Sequence, residues 1–380
     1  MDAFFALCES IRFGADRAAA DEEDNDYEAQ AAEYAARMRS DALRVTPTLT
    51  PELSRAVAGA SERLRMGRLP EVWIVNDPRT SAVVPAFGRE QPPIIVLTSG
   101  IAQVLTPVEV RFVVGHELGH YGLAHPPTML ETSPGSEVEA LRSRATQRCR
   151  EISADRAGLV AAGSLTTSAM VMVKLVSGLG AGHVRLDVRA FLAQLARPPG
   201  APAPEWEPFA THPSLPLRLR ALIAFAGSDA YAAAAGAGAG GRPLGKVDEE
   251  VQGWLDALGT GVLSGEETRR VDLASAWLGA SLVLQDGEAS PQERKLLRSL
   301  VGEELAAKVL SFGEDLGIAA IQEQLADVVK DLAAGEPRVR NRLAAVFRAF
   351  AERLGIHPER SLAWKALPRR LRREIRSVRR

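Results

Sequence analysis

The pentapeptide His116-Glu117-Leu118-Gly119-His120 restricts this chain more than any other feature. Residues i and i+4 of a helix share one face, about 5–6 Å apart at Cβ. On a helix, the two imidazoles therefore point to one place and can share a divalent ion such as zinc. Glu117, one residue round, reaches a water beside that ion rather than the ion, as a general base does. The sequence also supplies the helix. Thr106-Pro107-Val108-Glu109 has a cap threonine, a proline at the first helical position and a glutamate three residues on, which together make a capping box. Phe112-Val113-Val114 gives the helix an apolar side, and Gly115 and Gly119 admit a second backbone at close range.

A catalytic zinc takes three protein ligands and leaves a fourth position for water. Glu151-Ile152-Ser153-Ala154-Asp155 lies on the next expected helix, roughly Glu137 to Ala162, with Glu151 and Asp155 again at i and i+4. Glu151 is the expected third ligand. Asp155 is expected to accept the free ring N–H of a ligating imidazole, with His116 the chosen partner, and so to fix its tautomer. The competing reading is a surface ion pair of Glu151 and Asp155 with Arg148, Arg150 or Arg156. His125, five residues past His120, is expected to cap or pack at the helix end, and His183 and His357 to lie on the surface. Cys149 sits two residues from Glu151, on roughly the opposite helix face, and reads as a plain buried thiol. Trp206, in a proline-rich loop over 197–208, either packs or lines a cleft.

The rest of the chain falls into segments. Residues 1–45 read as helical around an acidic turn at Asp21 to Asp26, and Thr50-Pro51-Glu52 opens a helix to about Met66. Strands are expected near Val72 and Ile74, over Ser81 to Phe87, and at Ile94 to Leu97. Residues 46–230 form one expected domain, and 231–246, rich in alanine and glycine, a linker. Residues 247–364 read as all-helical, and 365–380 as a basic tail with eight basic side chains against Glu374 alone. Such a tail can attract an anionic partner.

These motifs together resemble the gluzincin peptidases that include the HtpX heat-shock proteases and the CAAX prenyl endopeptidases. The resemblance runs from about Thr46 to Ile223. It rests on Ile95-Val96-Leu97-Thr98-Ser99-Gly100, on Val114 to His120 followed by His125, on Glu151 to Asp155, and on Thr211-His212-Pro213-Ser214 followed by Arg218 and Arg220. It implies an α+β, zincin-type domain, mostly helical with a small sheet, here followed by an all-α unit. It implies one catalytic Zn2+ on His116, His120 and Glu151, and a polypeptide substrate. His212 then steadies the transition state or covers the metal. As the donor to the oxyanion, His212 is the first choice and Arg218 the second. The family's substrate-binding strand maps onto Ser81 to Phe87, which makes Val83, Val84 and Ala86 the expected edge for an added peptide strand. The family's membrane-spanning helices have no counterpart here. Over Val271 to Leu354 the chain also resembles TerB-like helical domains. That makes Asp286, Glu288 and Glu293 candidate cation ligands, against a plainer reading as a turn and a helix cap.

Composition narrows the rest. Charged residues make 25 % of the 380 and the net charge is -2, so no specific nucleic-acid partner is expected. A long uncharged run, between Arg156 and Lys174, carries Gly163, Ser164, Thr166 and Thr167. It is shorter and more polar than the ~20 apolar residues of a membrane span. No leader pattern opens the chain, and two cysteines make no disulfide framework. A soluble, cytoplasmic endopeptidase with Glu117 as general base is expected. The alternative is a catalytically silent or self-inhibited zinc module that binds misfolded proteins.

Overall fold

The structure is a computed structural model that describes residues 1–14, 36–84, 92–125, 135–180, 182–193, 212–238, 240–257 and 261–376. The chain forms two compact units. The first gathers Met1–Glu131, Arg148–Ala196 and Pro213–Val251; the second gathers Thr132–Gln147, Arg197–His212 and Gln252–Arg380.

In the first unit the elements are α1 (Asp2–Ser10), β1 (Leu43–Arg44), α2 (Pro51–Arg63), β2 (Glu71–Val75), β3 (Ala82–Val83), β4 (Ile94–Thr98), α3 (Ser99–Val104) and α4 (Pro107–Gly122). The later part of α5 (Glu137–Ala162) follows, then α6 (Leu165–Ser177), α7 (Val188–Ala193), α8 (Leu215–Ala226), α9 (Asp229–Ala234) and the start of α10 (Leu244–Ala257). The four strands lie in the order β1-β2-β4-β3. β2 and β4 run parallel, with Val72 opposite Ile95 and Ile74 opposite Leu97, while β1 and β3 are antiparallel edges. Side chains alternate with the period of two that a strand imposes. Val72, Ile95 and Leu97 enter the main core with Ala56, Val57 and Ala60 of α2 and Val110, Val113 and Val114 of α4. Trp73 and Val96 point the other way and pack with Met38.

The capping box at the start of α4 is made. The Glu109 N–H donates to Thr106 Oγ1 at 3.4 Å and the Thr106 N–H to Glu109 Oε2 at 2.7 Å. The same oxygen takes Lys174 Nζ at 2.7 Å, and both partners are buried, which ties α4 to α6. Thr50 differs from expectation. It stands at the cap position of α2, but its hydroxyl bonds back to Thr46 and gives no side-chain cap bond. α5 runs unbroken from Glu137 to Ala162 and stops before Gly163, whose φ is +67°. No helix among the described residues is long and apolar enough to cross a membrane.

Of the expected strand over Ser81 to Phe87, the described residues show Ala82–Val83, and residues 85–91 lie outside the described residues. So do the acidic turn at 21–26 and the proline-rich loop with Trp206. The alanine- and glycine-rich segment, read as a linker, instead holds α9 and a loop closed at its neck. The Arg242 N–H donates to the Gly227 carbonyl and the Asp229 N–H to the Arg242 carbonyl, both at 2.9 Å. The division between units falls after Val251. Composition shows that such a segment is supple; it is silent on main-chain bonds that close it.

In the second unit, the later described elements are the helices α11 (Gly265–Val283), α12 (Pro291–Val301), α13 (Glu303–Ala334), α14 (Pro337–Arg353), α15 (Leu362–Ala366) and α16 (Arg369–Arg376), with a 3-10 turn at Pro358–Arg360. Trp277, Leu282, Leu325, Phe347, Phe350 and Trp364 fill its core. Asp286 and Glu288 are exposed. The Glu293 carboxylate takes the Ser290 N–H at 2.9 Å and its hydroxyl at 2.7 Å, the bonds of a helix cap.

Candidate metal centre

Small residues bring α4 and α5 together. A methyl added at Gly115 would collide with the Ala161 side chain. One at Gly119 would lie 2.8 Å from the Ala157 Cβ and 3.0 Å from the Ala154 Cα. One at Gly158 would lie 2.9 Å from the Phe112 carbonyl oxygen. The two helices therefore touch backbone to backbone along this stripe. That contact sets Glu151 and Asp155 of α5 against His116 and His120 of α4.

The Nε2 atoms of His116 and His120 are 3.1 Å apart. Glu151 Oε2 lies 3.6 Å from the first and Oε1 lies 3.5 Å from the second. Among the described residues this is the one group of three or more histidine, cysteine, aspartate or glutamate side chains placed to hold a metal, its ligand atoms all within 4.8 Å of one another. A tetrahedral ion with bonds of about 2.0–2.1 Å sets its donor atoms about 3.3–3.4 Å apart, and the observed separations bracket that value.

The protonation states point the same way. His116 Nδ1 lies 3.1 Å from Asp155 Oδ1. An ionised carboxylate only accepts, so that nitrogen carries the hydrogen, and a metal-binding His116 would turn the lone pair of Nε2 towards His120 and Glu151. A lone pair so close to a carboxylate oxygen calls for a cation between them. The His120 pKa is shifted accordingly. Burial lowers it, but the carboxylates of Glu151 and Glu117 raise it, and the net shift is upward. The field here favours positive charge. The donor set of two imidazoles and one carboxylate suits zinc.

A second layer holds the ligands in place. Arg218 of α8 donates from Nε to Asp155 Oδ2 and from Nη2 to Asp155 Oδ1, both at 2.7 Å, and its Nη1 lies 3.1 Å from Glu151 Oε2. Burial raises the Asp155 pKa, but Arg218 and His116 outweigh it and hold the carboxyl below its ordinary range. Arg218 shifts upward despite burial, because Asp155 and Glu151 flank it. Bidentate pairing of this kind fixes direction as well as charge. Glu117 is buried on α4 beside the ligands, and His125 is buried with its Nδ1 2.8 Å from His120 Nδ1.

The structure brings together His116, Glu117, His120, Glu151, Asp155 and Arg218. The surface ion-pair reading of the two carboxylates fails on burial, Asp155 being 1 % exposed and Glu151 8 %. Arg156, one of its proposed partners, instead donates from Nη1 to the Ile11 carbonyl and from Nη2 to Asp248. Arg218 also departs from expectation. All three of its nitrogens face carboxylates, so it positions ligands and is not turned to a substrate oxyanion. His212 is exposed. Val83 lies in the edge strand β3, which packs against α4. Val84 sends its side chain into the core at 3 % exposure, and Ala86 lies outside the described residues. Both cysteines are buried thiols, and burial pushes the Cys8 thiol up to about 12. Sequence reasoning missed the place of His125, because spacing along a continued helix points it away from His120.

These features define a candidate metal centre: two helices joined at glycines, a histidine pair on one, a carboxylate from the other, and a small mixed sheet alongside. Residues 47–138 and 127–226 match the model of peptidase family M48. The chain is 29% identical over 139 residues to the plastoglobule-localized metallopeptidase 48, chloroplastic, of Arabidopsis thaliana; the match covers 33% of this chain and 40% of that protein. The chain thus spans well under half the length of the curated relative it matches. No solved structure matches it.

Proposed function

We propose that this chain is a zinc-dependent endopeptidase with Glu117 as general base. One observation carries the reading: the ligand atoms of His116, His120 and Glu151 converge within 4.8 Å, and Glu117 is buried beside them on the same helix. Zinc held there would draw the pKa of a water towards ~7 and polarise a peptide carbonyl. Glu117 accepts the proton of the attacking water and returns it to the leaving amine. Asp155 holds the His116 ring, and Arg218 holds Asp155 and Glu151. The oxyanion donor is His212, a role given by its motif match. The substrate adds as an extended strand to β3, where Val83 offers side chain and main chain and Val84 main chain only. Two buried thiols suit a reducing compartment such as the cytoplasm. The exposed Arg369, Arg370 and Arg373 of α16 offer a face to an anionic partner.

Glu117→Gln tests the reading. The variant is expected to keep its zinc, read by metal analysis, and to cleave casein ~10²–10⁴-fold more slowly than wild type. Equal cleavage by a zinc-loaded variant would overturn it. A wild type that binds zinc and unfolded protein yet cuts nothing would favour the binding-module alternative.

A further inference from the structure

The two histidines of the pair are supported differently. His116 has a carboxylate behind it. His120 has another imidazole, that of His125, and the chain makes an unusual turn to put it there. α4 ends at Gly122. The Ala124 N–H then bonds to the Tyr121 carbonyl at 3.1 Å and the His125 N–H to the His120 carbonyl at 2.9 Å. These are the two bonds of a Schellman turn, whose left-handed position is usually glycine. Here Ala124 occupies it, with φ +53°. A residue other than glycine held there is strained, and such strain gathers where function requires a geometry. In this turn the two residues flanking the left-handed segment commonly meet through an apolar contact. They are His120 and His125, and what joins them is an Nδ1 to Nδ1 hydrogen bond of 2.8 Å, with the rings 5.0 Å apart at 70°.

We propose that His125 is a positioning residue for the metal centre: it accepts the Nδ1–H hydrogen bond of His120 and so turns a bare His120 Nε2 towards the metal position. The hydrogen count leaves one arrangement. A hydrogen bond between two Nδ1 atoms contains one hydrogen. Were His125 to supply it, neutral His120 would carry its hydrogen on Nε2, aimed at the ligand cluster and unable to bind a cation. His120 therefore donates, and His125 is the tautomer with its hydrogen on Nε2. The proposal rests on the metal-centre reading above.

The test measures zinc affinity by competition with a chelator, together with the visible absorption of the cobalt-substituted protein. His125→Phe keeps a ring and removes the acceptor; it is expected to weaken zinc binding ~10–100-fold and to shift the cobalt spectrum. His125→Asn puts an amide oxygen close to where Nδ1 stood and is expected to recover most of the affinity. A general packing role would not give that pattern. His125→Phe that folds and matches wild type in affinity and spectrum overturns the proposal. If His125→Phe does not fold, nitrogen NMR of the imidazoles in the zinc-loaded wild type decides. His125 protonated at Nε2 supports the proposal, and His125 protonated at Nδ1 overturns it. His116→Ala is the control. A wild type that takes up no zinc, or a His116→Ala protein that binds it unchanged, defeats the metal-centre reading itself. Loss of zinc in His116→Ala with none in His125→Phe defeats the His125 proposal alone.

Discussion

The two units handle charge in opposite ways. Among the described residues, the first buries Glu109, Glu117, Arg148, Glu151, Asp155, Arg156 and Lys174, whereas Arg342 is the single charged side chain buried in the second. The second unit fills its interior with Trp277, Phe347, Phe350, Trp364 and aliphatic residues, and its pairs Arg294–Glu314 and Arg298–Glu303 lie at the surface. Buried ions stabilise poorly, because desolvation offsets most of their attraction, while exposed pairs contribute little either way. A core built only for stability looks like the second unit. One that gathers three carboxylates and a guanidinium around a histidine pair is arranged for chemistry, and its stability must come from the apolar layer of Val110, Val113, Val114, Leu118 and Leu159 around it.

Three substitutions can break or sharpen this contrast. The largest effect is expected from Arg218→Met. It leaves Asp155 and Glu151 buried without their counter-charge, and losses of about 3–5 kcal/mol accompany the breaking of such a network. Urea unfolding of the zinc-free protein would read the loss, and a midpoint equal to wild type would show that the carboxylates rearrange freely. Gly115→Ala comes next. The added methyl has no room beside Ala161, so overpacking of about 1–3 kcal/mol is expected. Zinc affinity should fall with it, since α5 moves Glu151 when it moves away. Unchanged affinity would mean that the backbone contact does not set the ligand geometry. The smallest effect has the opposite sign. Gly253 lies inside α10 with nothing within 4 Å of an added methyl. Gly253→Ala is expected to stabilise by about 0.5–1 kcal/mol through the helix preference for alanine. The same chemical change would then cost stability in one region and add it in the other, and zinc binding should respond to the first alone.

Much of the centre was legible because its signals are local. The capping box at Thr106 and Glu109 starts α4, and the spacing of His116 and His120 then follows from helical geometry alone. Gly115 and Gly119 announced a close neighbour. The boundaries of α5, Glu137 and Ala162, were also readable from its pattern. Arg218 was harder. It lies 63 residues from Asp155, and nothing in the intervening sequence tells whether its guanidinium faces a carboxylate or a substrate. His125 was misplaced for a different reason. Its direction depends on the left-handed φ of Ala124, a residue that gives no turn signal, whereas the nearest glycine, Gly122, is still helical. Of the strand expected over Ser81 to Phe87, Ala82 and Val83 pair with β4, and residues 85–87 lie outside the described residues.

By itself the sequence determined the helices, the pair of imidazoles on one face and the identity of the atoms that can hold a cation, since all of these follow from spacing within one or two turns. Asp155, the carboxylate beside His116, was named from the same spacing; only the tertiary structure decided the guanidinium behind that carboxylate and the imidazole behind His120. The reason is that a hydrogen bond fixes the last few tenths of an ångström and the position of a proton. Those depend on how separate elements pack and on single backbone torsions, neither of which is written in a residue's neighbours along the chain.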